Sequence, residues 1–187
     1  MYNFALGLVR NVDKKSFARL TNQYELVFHA DSFIRVVSDD RSIKNQMLRV
    51  VKIRSIGEYS HDSIIDVAGV VRGYGEVTLL NAAKNTAKQY LRRELTIVDD
   101  TNYEVRLTLW AEHANIKCDW GSLPIIVVKG ARVQDYQGRV ISSSASSFIQ
   151  INPSIPEIEC LKDVQDELRM GTFRVEASLT VAGMHVH

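Results

Sequence analysis

The alternation of apolar and polar residues is clearest over residues 105–110, which read Val-Arg-Leu-Thr-Leu-Trp. Successive side chains of a strand point to opposite faces, so this pattern predicts a strand with three aliphatic residues on its buried face. Trp110 lies on the other face, with Arg106 and Thr108. An aromatic ring on a solvent-facing strand position suggests a binding role.

Two further segments place an aromatic ring beside an arginine on one strand face. Tyr136 is four residues from Arg132 and Tyr74 is two residues from Arg72, so in a strand each pair lies on one face. Aromatic rings interleaved with guanidinium groups at solvent-facing positions are what a platform for stacking single-stranded bases requires. The pattern therefore predicts a nucleic-acid-binding face that includes Trp110.

The same alternation predicts an all-β body of five strands, with a short helix over residues 111–117 between the third and the fourth. The strands are expected at 64–77, 90–98, 105–110, 125–136 and 139–151. Glycines inside the first of them, at positions 69, 73 and 75, mark bends or close backbone approaches that let a small sheet close. A closed five-stranded barrel with a helix at that place is the oligonucleotide/oligosaccharide-binding (OB) fold.

The segments around this body have weaker patterns. Residues 1–30 are expected to form a β-ribbon, with strands around 6–12 and 24–29, and residues 31–46 a polar linker. The OB domain is expected over 47–153, with an edge strand at 47–56, followed by a C-terminal helix over 154–170. For the tail, residues 171–187, the pattern predicts no defined element.

Composition is that of a globular protein, with 45% hydrophobic and 24% charged residues among 187. The formal net charge is only +1, so a nucleic-acid binder of this kind must concentrate its positive charge locally. Such a concentration exists between Arg72 and Arg93, a stretch that contains five basic residues and only one acidic residue, Glu76. No apolar run is long enough for a membrane span, and the N-terminus lacks the plan of a secretory signal.

Catalytic and metal-binding chemistry has no matching motif. Cys118 and Cys160 are the only cysteines; they lack the paired spacing of a zinc site and are too few for a disulfide framework. Asp99 and Asp100 lie next to Thr101 and Asn102 and are interpreted as turn formers rather than a metal pair. With no nucleophile elbow and no phosphate loop, we expect no enzyme, no cofactor and no metal.

Three sequence segments, taken in order, resemble those of a known family: LTLWAE at 107–112, IVVKGARVQDYQGR at 126–139 and INPSIPE at 151–157. Together they resemble the second DNA-binding OB domain of the replication protein A large-subunit family. Residues 64–71 look like the first strand of that domain, and residues 4–28 look like the closing strands of the OB domain before it. The resemblance implies that the chain is an excerpt consisting of an end, a linker and one whole domain.

The resemblance also implies the site. The family stacks bases on a tryptophan and a phenylalanine, which match Trp110 and Tyr136 here. Its basic contacts match Arg92, Arg93 and Arg132 here, with Lys88 and Arg72 as weaker matches. Tyr74 and Arg106 are candidates from strand parity alone. Because Arg92 and Arg93 are adjacent in a strand, they face opposite sides, and the prediction favours Arg92.

The implied function is binding of single-stranded DNA with little sequence preference, in replication, repair and recombination in the nucleus. Other OB domains or subunits of a replication protein A-like complex are the expected partners. Two alternatives stay open at this point. One is a specialised telomeric or meiotic relative, and the other is a protein-interaction module whose groove holds an acidic peptide or a partner subunit.

Overall fold

The computed structural model describes residues 2–11, 24–37, 48–81 and 89–179. The chain divides into two compact units, with the boundary after Met47. Within the described residues, no helix is long and apolar enough to cross a membrane.

The first unit contains four short strands, namely β1 (Tyr2–Ala5), β2 (Leu8–Asn11), β3 (Tyr24–Val27) and β4 (Phe33–Val36). The antiparallel pair of β2 and β3 forms the expected ribbon, and the Arg10–Glu25 ion pair of 2.6 Å joins residues directly opposite in its register. A second antiparallel pair joins β1 to β4. The segment expected as a linker therefore contains a strand, in a run too short to show alternation.

The second unit contains the remaining elements. Its strands are β5 (Ile64–Tyr74), β6 (Thr78–Asn81), β7 (Gln89–Val98), β8 (Tyr103–Trp110), β9 (Ile125–Asp135), β10 (Arg139–Ser142), β11 (Phe148–Ile151) and β12 (Ala177–Ser178). Its α-helix is α1 (Leu161–Met170), and 3-10 helices occupy Ile53–Glu58, Ala111–Asn115, Trp120–Ser122 and Pro156–Ile158.

Five of these strands close into a barrel in the order β8, β7, β5, β9 and β10. The neighbours along this path are antiparallel, and β10 closes the circle by pairing in parallel with β8 at Ile141 and Leu107. The register of β5 shifts near Ile65 and again near Val71, as at a β-bulge, and such irregularities bend a strand so that a small sheet can close. The predicted all-β OB barrel is confirmed.

The core contains the alternate strand residues that the sequence pattern predicts to be buried. The aliphatic side chains of Val105, Leu107 and Leu109 are fully buried inside the barrel, whereas Arg106 and Trp110 are only half-buried. A second apolar cluster lies between the barrel wall and the C-terminal segment, where Leu161 and Val164 of α1 are buried. The direction in which Trp110 points is therefore set by the burial of its neighbours.

Three expectations about elements are corrected. An edge strand was expected at 47–56, but the described part of it, residues 48–56, forms only a bridge from Val50 to Asp66 before the 3-10 helix that begins at Ile53. The last barrel strand is not continuous, because β10 ends at Ser142 and β11 begins only at Phe148; both pair with β9, β10 near its C-terminal end and β11 along residues 126–129. The C-terminal helix begins at Leu161, after a 3-10 turn at Pro156–Ile158.

Candidate nucleic-acid interface

One groove on the barrel brings together four of the residues expected from the sequence. The groove has a volume of about 380 Å³ and is lined by Arg92, Arg106, Trp110 and Tyr136, together with His61, Glu94, Thr108, Gln134, Asp135 and Val140. It combines two aromatic rings, two guanidinium groups, two carboxylates and an imidazole.

The pairing of β7 with β8 sets the arrangement of the groove floor. Arg92 lies directly opposite Trp110, and Glu94 lies opposite Thr108. Residues directly opposite in an antiparallel pair share one face of the sheet. The end of β8 is fixed by a hydrogen bond of 3.0 Å that the backbone N–H of Trp110 donates to Ser143 Oγ. The indole is therefore presented from an anchored strand end.

Tyr136 lies just past the end of β9, with 61% of the residue exposed. Its backbone N–H donates to the carbonyl of Gly138 over 2.9 Å in the turn that leads to β10. The guanidinium carbon of Arg106 lies 5.8 Å from the centroid of the Tyr136 ring, within the range of a cation–π contact. Arg106 Nη2 also donates to the Tyr136 carbonyl over 3.4 Å. Arg106 thus holds the phenol at the groove wall.

Carboxylates in the groove were missed by the sequence reasoning. Glu94 Oε1 lies 3.5 Å from Arg92 Nη2 and 3.8 Å from Arg106 Nη1. Asp135 pairs with Arg139 over 2.6 Å and lies 3.5 Å from His61 Nδ1. A signal for Glu94 was present in the sequence, because it is two residues from Arg92 in a strand and so shares its face.

Arg92 retains unused hydrogen-bonding capacity. Its Nε is buried and has no hydrogen-bond partner among the residues the structure describes. Buried polar atoms are normally satisfied by protein, water or ligand. Arg93 Nε, Arg132 Nε and Trp120 Nε1, outside the groove lining, are also buried without a partner in the described part of the chain, so this feature alone does not distinguish the groove.

The other expected site residues are placed elsewhere. Arg132 is not part of the groove lining; its Nη1 lies 3.5 Å from Asp62, the neighbour of the lining residue His61. Arg72 pairs with Glu104 over 2.6 Å and does not line the groove. Lys88 lies outside the described residues.

Arg93 and Tyr74 lie beside the 3-10 helix at Trp120 instead of in the groove. The guanidinium carbon of Arg93 is 5.4 Å from the centroid of the Trp120 ring. The Tyr74 hydroxyl lies 3.6 Å from where a Cβ on Gly121 would be. Trp120 itself is 6% exposed and packs in the core, so it anchors its loop to the barrel.

Three groups with shifted pKa values lie outside the groove lining. Partial burial raises the pKa of the Cys118 thiol, and the nearby Asp119 adds to this effect. Partial burial likewise raises the pKa of Cys160. Burial alone would lower the pKa of Lys52, but the hydrogen bonds and negative charge of Asp100 outweigh it and raise that pKa. Thiols with raised pKa values are poor nucleophiles.

Asp99 has a structural role. Its carboxylate accepts hydrogen bonds from the backbone N–H groups of Ile53, over 2.7 Å, and of Thr101, over 3.1 Å. The expectation that Asp99 is a turn former is confirmed. Among the described residues, no group of three or more His, Cys, Asp or Glu side chains is arranged to hold a metal ion.

Comparison with known proteins fits this geometry. Residues 53–152 match the family model of the replication protein A OB domain. This chain belongs to the replication protein A OB-domain family. It is 35% identical over 156 residues to Replication factor A protein 1 of Schizosaccharomyces pombe, an alignment covering 83% of this chain and 25% of that protein.

Other members of the replication protein A family are similar over the same extent. The 70 kDa DNA-binding subunit of replication protein A from Xenopus laevis is 29% identical, with 84% of this chain and 25% of that protein covered. This chain therefore spans about a quarter of the length of the curated relatives it matches. A solved replication protein A heterotrimer bound to single-stranded DNA superposes with a TM-score of 0.76 at 29% identity, covering 98% of this chain and 42% of that one.

Proposed function

We propose that this chain binds single-stranded DNA in the groove between Trp110 and Tyr136, as a non-catalytic module. One observation carries the proposal: two partly or fully exposed rings and two arginines open onto a single groove. Bases stack on the rings, and backbone phosphates contact Arg92 and Arg106. Because every base has a π-face, such stacking is tolerant of sequence.

The energetics predict modest affinity for this chain alone. Stacking contributes about 1–3 kcal/mol per base, so two rings supply roughly 2–6 kcal/mol. Phosphate contacts add a salt-dependent share. After the entropic cost of association, we expect dissociation constants on the order of micromolar.

The relatives support a wider setting for this activity. One relative is a replication factor, another is the DNA-binding subunit of replication protein A, and the solved heterotrimer is a complex with single-stranded DNA. We propose that this chain likewise acts in the nucleus, in replication, repair and recombination. Its proposed partners are other OB domains or subunits of the same complex. Linked OB domains engage one strand at a high effective concentration, which raises the overall affinity without new contacts.

Fluorescence anisotropy with a labelled oligo-dT tests the proposal. The oligo-dT should bind with an affinity that falls as salt rises, and an unlabelled mixed-sequence single strand should compete equally well. Duplex DNA and an acidic peptide should compete poorly, because neither offers splayed bases. Equal competition by the peptide would instead support a protein-interaction module, and strong preference for G-rich strands a telomeric relative.

A further inference from the structure

We propose that Glu94 is an internal counter-ion of the groove, which competes with DNA phosphate for Arg92 and Arg106 and so limits the affinity for single strands. This inference rests on the proposed function and deepens it, since it assigns a role to a residue that opposes the polyanion. Glu94 lies on the groove floor, between the two arginines that the ligand would contact.

The geometry places one carboxylate oxygen between two cations. Oε1 of Glu94 is 3.5 Å from Arg92 Nη2 and 3.8 Å from Arg106 Nη1. The three side chains are 35%, 30% and 21% exposed, respectively. They are therefore partly shielded from water, and salt screens such charges less than it screens fully exposed ones.

A phosphate that approaches either guanidinium must come close to this carboxylate. Two like charges in a partly desolvated groove repel each other, so phosphate binding either displaces Glu94 or tolerates the repulsion. Either route costs part of the binding free energy. Neutralising Glu94 removes this cost.

Arg106 does not depend on Glu94 for its position. It is also held by the cation–π contact with the Tyr136 ring and by its hydrogen bond to the Tyr136 carbonyl. A positioning role for Glu94 predicts weaker DNA binding when the carboxylate is lost. Competition predicts stronger binding, so the sign of the change separates the two roles.

The test compares Glu94→Gln with Glu159→Gln. Both variants lose one negative charge, but Glu159 pairs with Lys162 over 3.2 Å and does not line the groove. We expect Glu94→Gln to bind labelled oligo-dT about twofold to fivefold more tightly, the range typical of partly exposed charge interactions. Glu159→Gln should match the wild-type protein.

The salt dependence gives a second readout. Arg92 and Arg106 contact phosphate in both proteins, so the slope of log affinity against log salt, about 0.7 for each phosphate contacted, should be the same in Glu94→Gln as in the wild-type protein. Glu94→Thr, a substitution that suits a strand, repeats the test without an amide. Unfolding midpoints for every variant establish that each is folded.

Each result supports or overturns the inference. Tighter binding with an unchanged slope in both Glu94 variants supports it. Unchanged or weaker binding in the folded Glu94 variants, with normal wild-type binding, overturns the inference and leaves the proposed function standing. If neither the wild-type protein nor the variants bind any single strand, the proposed function fails and the inference fails with it.

Discussion

Trp110 and Leu109 are neighbours in β8 that face opposite ways, one into the groove and one into the core. We predict that Trp110→Ala weakens binding of oligo-dT by about 1–3 kcal/mol, because it removes one stacking surface. The unfolding midpoint should change little, since the indole is only half-buried. Anisotropy titration and denaturant unfolding measure the two effects separately.

Leu109→Ala is the matched control at this scale. Leu109 is fully buried, so its truncation should lower the free energy of unfolding by about 2–5 kcal/mol. The folded fraction should still bind DNA. If Trp110→Ala binds normally while Leu109→Ala is fully stable, the assignment of inside and outside faces of β8 is wrong.

At the scale of elements, β5 depends on the absence of a side chain at Gly69. A Cβ there would lie 2.8 Å from the Val98 carbonyl and 3.2 Å from Ile97 Cβ, both in β7. We predict that Gly69→Ala lowers the free energy of unfolding by about 1–3 kcal/mol, the usual cost of overpacking. Gly57→Ala, where a Cβ has nothing within 4 Å, should be close to neutral. Equal stability of the two variants in denaturant unfolding would contradict this account of the strand pairing.

The turn between β7 and β8 is tied to the 3-10 helix at Ile53–Glu58 through one carboxylate. Asp99 is 2% exposed and accepts from the Ile53 N–H. We predict that Asp99→Ala lowers the free energy of unfolding by about 1–3 kcal/mol, because a buried donor loses its partner. Thermal unfolding measures the change. An unchanged midpoint would show that the helix start does not depend on Asp99.

Alternating stretches such as β8 and the second half of β9, residues 131–135, were predictable from the sequence because one face of each lies in the core. The 3-10 helix at Ile53–Glu58 was not predictable. Its buried residues, Ile53 and Ile56, belong to a short apolar run, and such a run fits a strand as well as a helix. Within the site, the alternation of side chains along β8 was enough to identify Arg106 and Trp110. It could not reveal that Arg93 lies over Trp120, because that loop contact depends on tertiary packing.

At the scale of the whole molecule, the net charge of +1 gives little general attraction for a polyanion, so the salt dependence of binding reports local contacts. If about four phosphates are neutralised, the slope of log affinity against log salt is about −3 for single strands. The two arginines that line the groove correspond to a slope of about −1.4.

We therefore predict a slope near −1.4 for the wild-type protein and a loss of about 0.7 in Arg92→Gln, which removes one phosphate contact. Arg72→Gln is the matched control, since Arg72 pairs with Glu104 over 2.6 Å and does not line the groove. Anisotropy titrations of oligo-dT at several salt concentrations give all three slopes. A wild-type slope near −3 that falls equally in both variants would mean that the DNA path continues beyond the groove, past Arg72.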